Sequence, residues 1–159
     1  MQNIFRISLL LFVLAACAPK PPSVVVPQKP RTLTVNFEGA DVLNPAANGD
    51  PAPVQVRLFL LSDVEEFQTA GYFDLMEDPE TALSAALMGE EKLFVEPAGT
   101  ATYKSDLDKD VTHIGIVVGF RDYDDGTWRI AVPVAKRRIG GLRRDFLLEG
   151  STISERMRK

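Results

Sequence analysis

The chain holds one histidine, His113, and one cysteine, Cys17, so side-chain chemistry has little to be assembled from. His113 falls in an apolar run, on the strand face shared with Gly115, Val117 and Gly119. No acid–His or Cys–His motif accompanies it, and a packed or hydrogen-bonded strand histidine is the expectation. Asp106-Leu107-Asp108-Lys109-Asp110 opens like an EF-hand loop, but Val111 stands where that loop needs Gly and Val117 where it needs Glu. A solvated turn is expected there instead. Ser84 and Ser151 have no G-x-S-x-G context, and Gly140-Gly141 lacks the spacing of a phosphate-binding loop. The chain therefore reads as a non-enzyme with no metal and no cofactor.

Cys17 carries a different chemistry. It follows Leu14-Ala15-Ala16, and Ile7 to Val13 upstream is apolar except for Ser8. A branched apolar residue, two small residues and Cys is the cleavage pattern of bacterial lipoprotein signal peptides. On that reading residues 1–16 are a removable signal, and the Cys17 thiol becomes residue one and carries a diacylglyceryl group. An ordinary secretory signal that contains a Cys is the alternative. The apolar run is far shorter than the roughly 20 residues that span a bilayer. Two or more acyl chains, at about 0.8 kcal/mol per buried CH₂, hold a protein on a membrane stably. Ala18 follows Cys17 where an Asp would signal inner-membrane retention, so the outer membrane, facing the periplasm, is the expected location.

Residues 17–30 form the lipidated Cys and a tether with Pro19, Pro21, Pro22, Pro27 and Pro30. Such a segment leans to extended polyproline II and reaches ~40 Å at roughly 3.1 Å per residue. Residues 31–150 are expected to form one domain, and residues 151–159 a basic tail. Charge divides unevenly: residues 31–110 carry five Lys/Arg against sixteen Asp/Glu, and residues 136–159 carry eight against three. Without interleaved aromatics, the basic end reads as a solvated tail or protein contact rather than a nucleic-acid site.

Period-two alternation predicts a mainly β domain, a two-sheet β-sandwich with a small helical insertion. Leu33–Phe37 and Val54–Leu60 alternate cleanly, while Val111–Phe120 is nearly all apolar, as a central strand covered on both faces would be. Thr127–Val134 is predicted to pair with it in a hairpin around Asp124-Asp125-Gly126, with Pro133 at a strand end or sheet edge. Weaker strands are expected at Lys92–Val95, Ala101–Lys104 and Asp145–Leu148. Ser62-x-x-Glu65 predicts a capping box opening one helix, with Val64, Phe67 and Ala70 or Gly71 as its apolar face. Asp78-Pro79-Glu80 opens a second helix, and Gly89 stops it.

Glu38 to Pro53 is anomalous. It joins two strands through about 16 residues holding Asn44-Pro45, Asn48-Gly49, Pro51 and Pro53, where hairpin loops usually take 2–5. Long loops in compact domains are usually functional or disordered. Leu43, an apolar residue in it, either folds back to the core or is a contact residue.

Together these features resemble one family, the outer-membrane lipoprotein of type VI secretion called TssJ or VasD. The resemblance covers roughly residues 31–150. It rests on Cys17, on Leu43-Asn44-Pro45 with Gly49, Pro51 and Pro53 before Val54-Gln55-Val56-Arg57-Leu58-Phe59, on Phe67, Phe73-Asp74-Leu75 and Glu90-Glu91, and on Ile114 to Asp122 with Trp128-Arg129. The long tether and the basic extension from Ser151 depart from it. The resemblance implies a transthyretin-like sandwich anchored in the outer membrane and binding the periplasmic C-terminal domain of TssM, which pairs with TssL. The family's TssM contact, the loop between the first two strands, maps here onto Asp41, Val42, Leu43, Asn44, Pro45, Asn48, Gly49 and Asp50. The competing expectation is an unrelated outer-membrane lipoprotein acting as a ligand- or cell-wall-binding module, which would want a concave aromatic pocket. A weaker rival is an envelope hydrolase using His113 with an Asp.

Overall fold

A computed structural model describes residues 31–134 and 141–156. Cys17, the proline-rich tether, the Lys136–Arg138 cluster and Gly140 lie outside the described residues. Eight strands and three short helices follow in order: β1 (Arg31–Leu43), β2 (Val54–Leu61), α1 (Glu65–Thr69), α2 (Tyr72–Glu77), α3 (Pro79–Leu83), β3 (Leu87–Val95), β4 (Thr100–Leu107), β5 (His113–Val118), β6 (Arg129–Pro133), β7 (Leu142–Gly150) and β8 (Thr152–Glu155). They build two four-stranded sheets, ordered β4-β1-β7-β8 and β3-β2-β5-β6. β1 and β7 run parallel and the other neighbours antiparallel. The mainly β two-sheet sandwich expected from alternation is the fold observed.

Alternation decides which face each strand gives to the core. Leu33, Val35 and Phe37 of β1 point inward with Phe146 and Leu148 of β7, and Phe37 stacks on Phe146 at 5.7 Å. Val54, Val56, Leu58 and Leu60 of β2 meet them from the other sheet, with Ile114, Ile116 and Val118 of β5. On the opposite face, which the helices cover, β2 gives Arg57, Phe59 and Leu61 and β5 gives Gly115 and Val117. Phe59, Leu61 and Val117 pack there under Phe67, Leu75 and Leu83. Burying a side chain of this size contributes about 1.5–3 kcal/mol, which lets five- and six-residue helices persist despite a nucleation cost they could not offset alone. Gly115 sets the approach: a Cβ there would lie 2.8 Å from the Phe67 ring and 3.0 Å from Leu61.

Two arginines tie the helical layer to the sheet. Neither α1 nor α2 has a basic residue in its last turn, and β-strand side chains supply the cations instead. Arg129 donates to the Phe67 and Ala70 carbonyls at 3.1 and 2.8 Å. Arg57, only 3% exposed, donates to the Met76 carbonyl and forks onto both Glu90 oxygens at 2.9 and 3.0 Å. The bidentate carboxylate offsets much of the cost of burying that charge.

Several local expectations change. β1 continues to Leu43, so the connection between the first two strands shrinks to Asn44–Pro53. The capping box at Ser62 does not form: the Ser62 hydroxyl donates to the Ala86 carbonyl, and Asp63 receives the Glu65 amide at 2.8 Å. Asp78 caps α3 as expected, accepting from the Thr81 amide with Pro79 in the first turn. That helix ends at Leu83 in a 3₁₀ turn, and Gly89 lies inside β3 rather than stopping a helix. The Tyr72–Glu77 helix was not expected. Pro133 ends edge strand β6, but the connection from β5 is longer than the Asp124-Asp125-Gly126 turn alone. Past Ser151 the chain forms β8 with Ile153 buried, so Thr152–Glu155 belong to the sandwich and not to a solvated tail.

Candidate functional site: the pinned loop at one end of the sandwich

Asn44 organises the loop between β1 and β2. Its backbone is left-handed, with φ of 47°, a conformation in which Asn is among the few tolerated side chains. It is 4% exposed, and its amide side chain is bonded at both ends. Nδ2 donates to the Pro53 carbonyl at 2.9 Å, and Oδ1 accepts the Arg121 amide at 2.9 Å. The Asn44 amide itself donates to the Gly150 carbonyl at 2.8 Å. One residue thus joins the far end of its own loop, the β5–β6 connection and the turn after β7. Leu43 beside it is fully buried, and its carbonyl accepts the Ala52 amide at 2.9 Å. Of the two readings open for Leu43, the structure places it in the core.

Beyond these pins the loop makes its own turn. The Ala46 amide donates to Asp50 and the Gly49 amide to Ala46, both at 2.8 Å, and Asn48 and Asp50 bond to each other side chain to backbone and side chain. Gly49 takes φ of 85° with open space around it. Ala47, Asn48, Gly49, Asp50 and Pro51 are exposed, Pro45 and Ala46 half-exposed. Asp41 and Val42 are exposed on the last turn of β1, and Val42 shows 57% of its surface. The eight residues picked from the sequence therefore fall into two groups. Leu43 and Asn44 hold the loop from inside. Asp41, Val42, Pro45, Asn48, Gly49 and Asp50 are what it presents. Arg121 and Gly150, which complete the pinning, were missed, because they lie far along the chain and contribute only backbone groups.

The other chemistry candidates sit in structural roles. The His113 Nδ1 lies 2.9 Å from the Thr112 hydroxyl. Asp108 accepts the Asp110 amide at 2.9 Å and closes the turn between β4 and β5. Among the described residues no three His, Cys, Asp or Glu side chains gather as a metal-binding group. A groove of about 480 Å³ crosses the outer face of the β4-β1-β7-β8 sheet. Its polar groups pair internally: Thr102 donates to Asn36 at 3.0 Å, while Asn36 and Arg143 donate to Asp145 at 2.6 and 3.1 Å. It is a polar strip and not the concave aromatic pocket a ligand-binding reading requires.

The sandwich thus holds out one loop braced by its own far end and by two distant segments. The model of one family, described as type VI secretion lipoprotein, VasD, EvfM, TssJ, matches residues 31–152. The chain belongs to this type VI secretion lipoprotein family, and is thus a structural component and not an enzyme. Among solved structures, the T6SS lipoprotein TssJ1 from Pseudomonas aeruginosa is 27% identical, with a TM-score of 0.77 over 82% of this chain and 98% of that one. Serratia marcescens Lip, a membrane-bound component of the type VI secretion system, is 23% identical at the same TM-score, over 82% and 99%. A chain from the structure described as the T6SS protein TssM C-terminal domain from EAEC is 22% identical, with a TM-score of 0.69 over 80% and 99%. These last two show the shared fold. A comparison with curated protein sequences gave no significant match. Among the described residues no helix is long and apolar enough to cross a membrane.

Proposed function

We propose that this lipoprotein is anchored in the outer membrane through acyl chains on Cys17, and that it holds the periplasmic C-terminal domain of TssM through the Asn44–Pro53 loop and the adjoining end of β1. TssL is engaged only indirectly, through TssM. Residues 1–16 direct export, residues 17–30 set the reach from the membrane, and the sandwich from Arg31 onward is the binding body. The task is mechanical. One end is fixed by lipid, and the other presents a loop whose geometry is set before the partner arrives.

The observation that carries the reading is Asn44. A loop left free would lose conformational entropy on binding, at about 0.5–1.5 kcal/mol for each side chain immobilised. Here three separate segments already brace it. Its exposed tip of small and polar residues can then lie against a partner without rearranging the fold. The choice of partner rests on membership in the type VI secretion lipoprotein family.

Membrane fractionation of cells carrying Cys17→Ser tests the anchor. The variant is expected in the soluble periplasmic fraction, with type VI secretion abolished at an unchanged protein level. A variant still retained in the outer membrane would contradict lipid anchoring at this residue.

A further inference from the structure

We propose that the docking surface does not end at the loop but continues onto an aromatic shelf, and that one protein partner, with an apolar patch ringed by Lys and Arg, covers both. This rests on reading the loop as the partner contact. The shelf is built from α2 and the β5–β6 connection. Tyr72 stacks on Tyr123 at 4.2 Å with the rings 4° from parallel. Phe73 stands edge-on to both, at 5.3 and 5.4 Å, and Trp128 meets Tyr72 edge-on from below at 5.1 Å. Phe73 nevertheless leaves 55% of its surface to solvent.

The shelf and the loop share one piece of backbone. The Tyr72 hydroxyl donates to the Phe120 carbonyl at 3.3 Å, and the next amide, that of Arg121, is the one held by Asn44. Phe94, 67% exposed, stands on the outer face of the β3-β2-β5-β6 sheet at the same end. It is paired across β3 with Gln55, whose carbonyl accepts the Gly119 amide. Met76 reaches Gly119 as well, since a Cβ there would lie 3.0 Å from its methyl group. Phe73 and Met76 are neighbours on one helix face at i and i+3. Phe73, Met76 and Phe94 are thus apolar groups at one end of this face, with Gln55 between Met76 and Phe94.

Two physical arguments select the occupant. Aromatic side chains held in one orientation lose little entropy on contact and are enriched among the residues that carry binding energy. The three-ring arrangement holds Phe73 in that way. The surroundings are predominantly acidic: Asp50, Asp74, Glu77, Asp122, Asp124 and Asp125 are all exposed, against the exposed cations Arg121 and Lys92. Between Arg57 and Lys92 there is no Lys or Arg, and Arg57 is spent on Glu90. A second copy of this chain, meeting the same acidic surface face to face, would be repelled. A partner with a basic rim would be attracted, and the attraction would weaken with salt.

The test is a calorimetric titration of the full-length acylated chain, in detergent, with the periplasmic C-terminal domain of TssM. Wild type is compared with Phe73→Ser, Phe94→Ser and a chain whose Ala46–Pro51 tip is replaced by Gly and Ser. Each shelf variant is expected to weaken binding about tenfold or more at an unchanged melting temperature, and wild-type affinity to fall between ~0.05 and ~0.5 M NaCl. Phe94 makes no ring contact in the cluster, so its variant decides the matter if Phe73→Ser misfolds. Shelf variants that bind like wild type while the tip exchange abolishes binding would reject the shelf and leave the loop standing. If neither tip nor shelf variants lose affinity, both readings fall. Loss of a chain dimer in sedimentation, with TssM binding intact, would assign the shelf to self-association and overturn the proposal.

Discussion

Asn44 does at one position what loops of this length usually leave undone. Removing its side chain leaves the Arg121 amide without its acceptor and the Pro53 carbonyl without its donor, and it places a Cβ residue without a local hydrogen bond at positive φ. Asn44→Ala is expected to cost about 2–4 kcal/mol, read as a lower urea midpoint at unchanged slope. Asn44→Gly restores the backbone freedom but not the bonds and should fall between the two. A neutral Asn44→Ala would show that the loop is held by something else. Tyr72 gives a second test at this scale. Burial, and secondarily the neighbouring Tyr123, push its hydroxyl above the ordinary value of 10.0. The folded state then keeps the proton longer than the unfolded chain. The associated stability is fully present below pH ~10 and is lost as pH rises through the folded value. Thermal melts from pH 8 to 11 should show this loss, and Tyr72→Phe should flatten the alkaline limb. An unaltered slope in the variant would remove Tyr72 from the account. Of these residue roles, the sequence made the loop visible through its length and its Asn-Pro pair. Which of its residues point inward was settled by contacts with Arg121 and Gly150, and no local pattern reports those.

Elements were legible in proportion to how far their own residues explain them. β5 carries apolar residues on both faces, so its central, doubly covered position follows from the chain itself, whereas Gln55 and Arg57 of β2 give an alternation that conceals the helices over its second face. β1 beyond Phe37 reads Glu-Gly-Ala-Asp, a composition depleted in strands, and it continues as a strand through pairing with β7 up to Gly39 and again at Leu43 with Gly150. The Tyr72–Glu77 helix is too short for a helical period to emerge and begins with two aromatics. It exists because Leu75 is buried beneath it and Arg57 holds its end. β8 offers one buried apolar residue, Ile153, in a segment whose charge reads as a tail. The helical layer depends on Gly115, where any side chain would meet Phe67 and Leu61. Gly115→Ala should destabilise the domain by about 1–3 kcal/mol, with hydrogen exchange in α1 and α2 rising first. A thermal melt identical to wild type would mean the layer is more compliant than its packing implies.

At the scale of the molecule, the two sheets turn different surfaces to solvent. The β4-β1-β7-β8 sheet turns a self-paired polar face to solvent. The β3-β2-β5-β6 sheet wears the helices, and at one end the β1–β2 loop, the β5–β6 connection and the turn after β7 meet at Asn44. The central claim is that the braced tip is what the partner grips. Its most direct measurement is a calorimetric titration of the full-length chain with the periplasmic domain of TssM, with the Ala46–Pro51 tip native or replaced by Gly and Ser. The account predicts saturable binding by the native chain, and a loss of at least about tenfold on exchange with no change in melting temperature. Absence of binding by the native chain, or equal affinity in both, would contradict it.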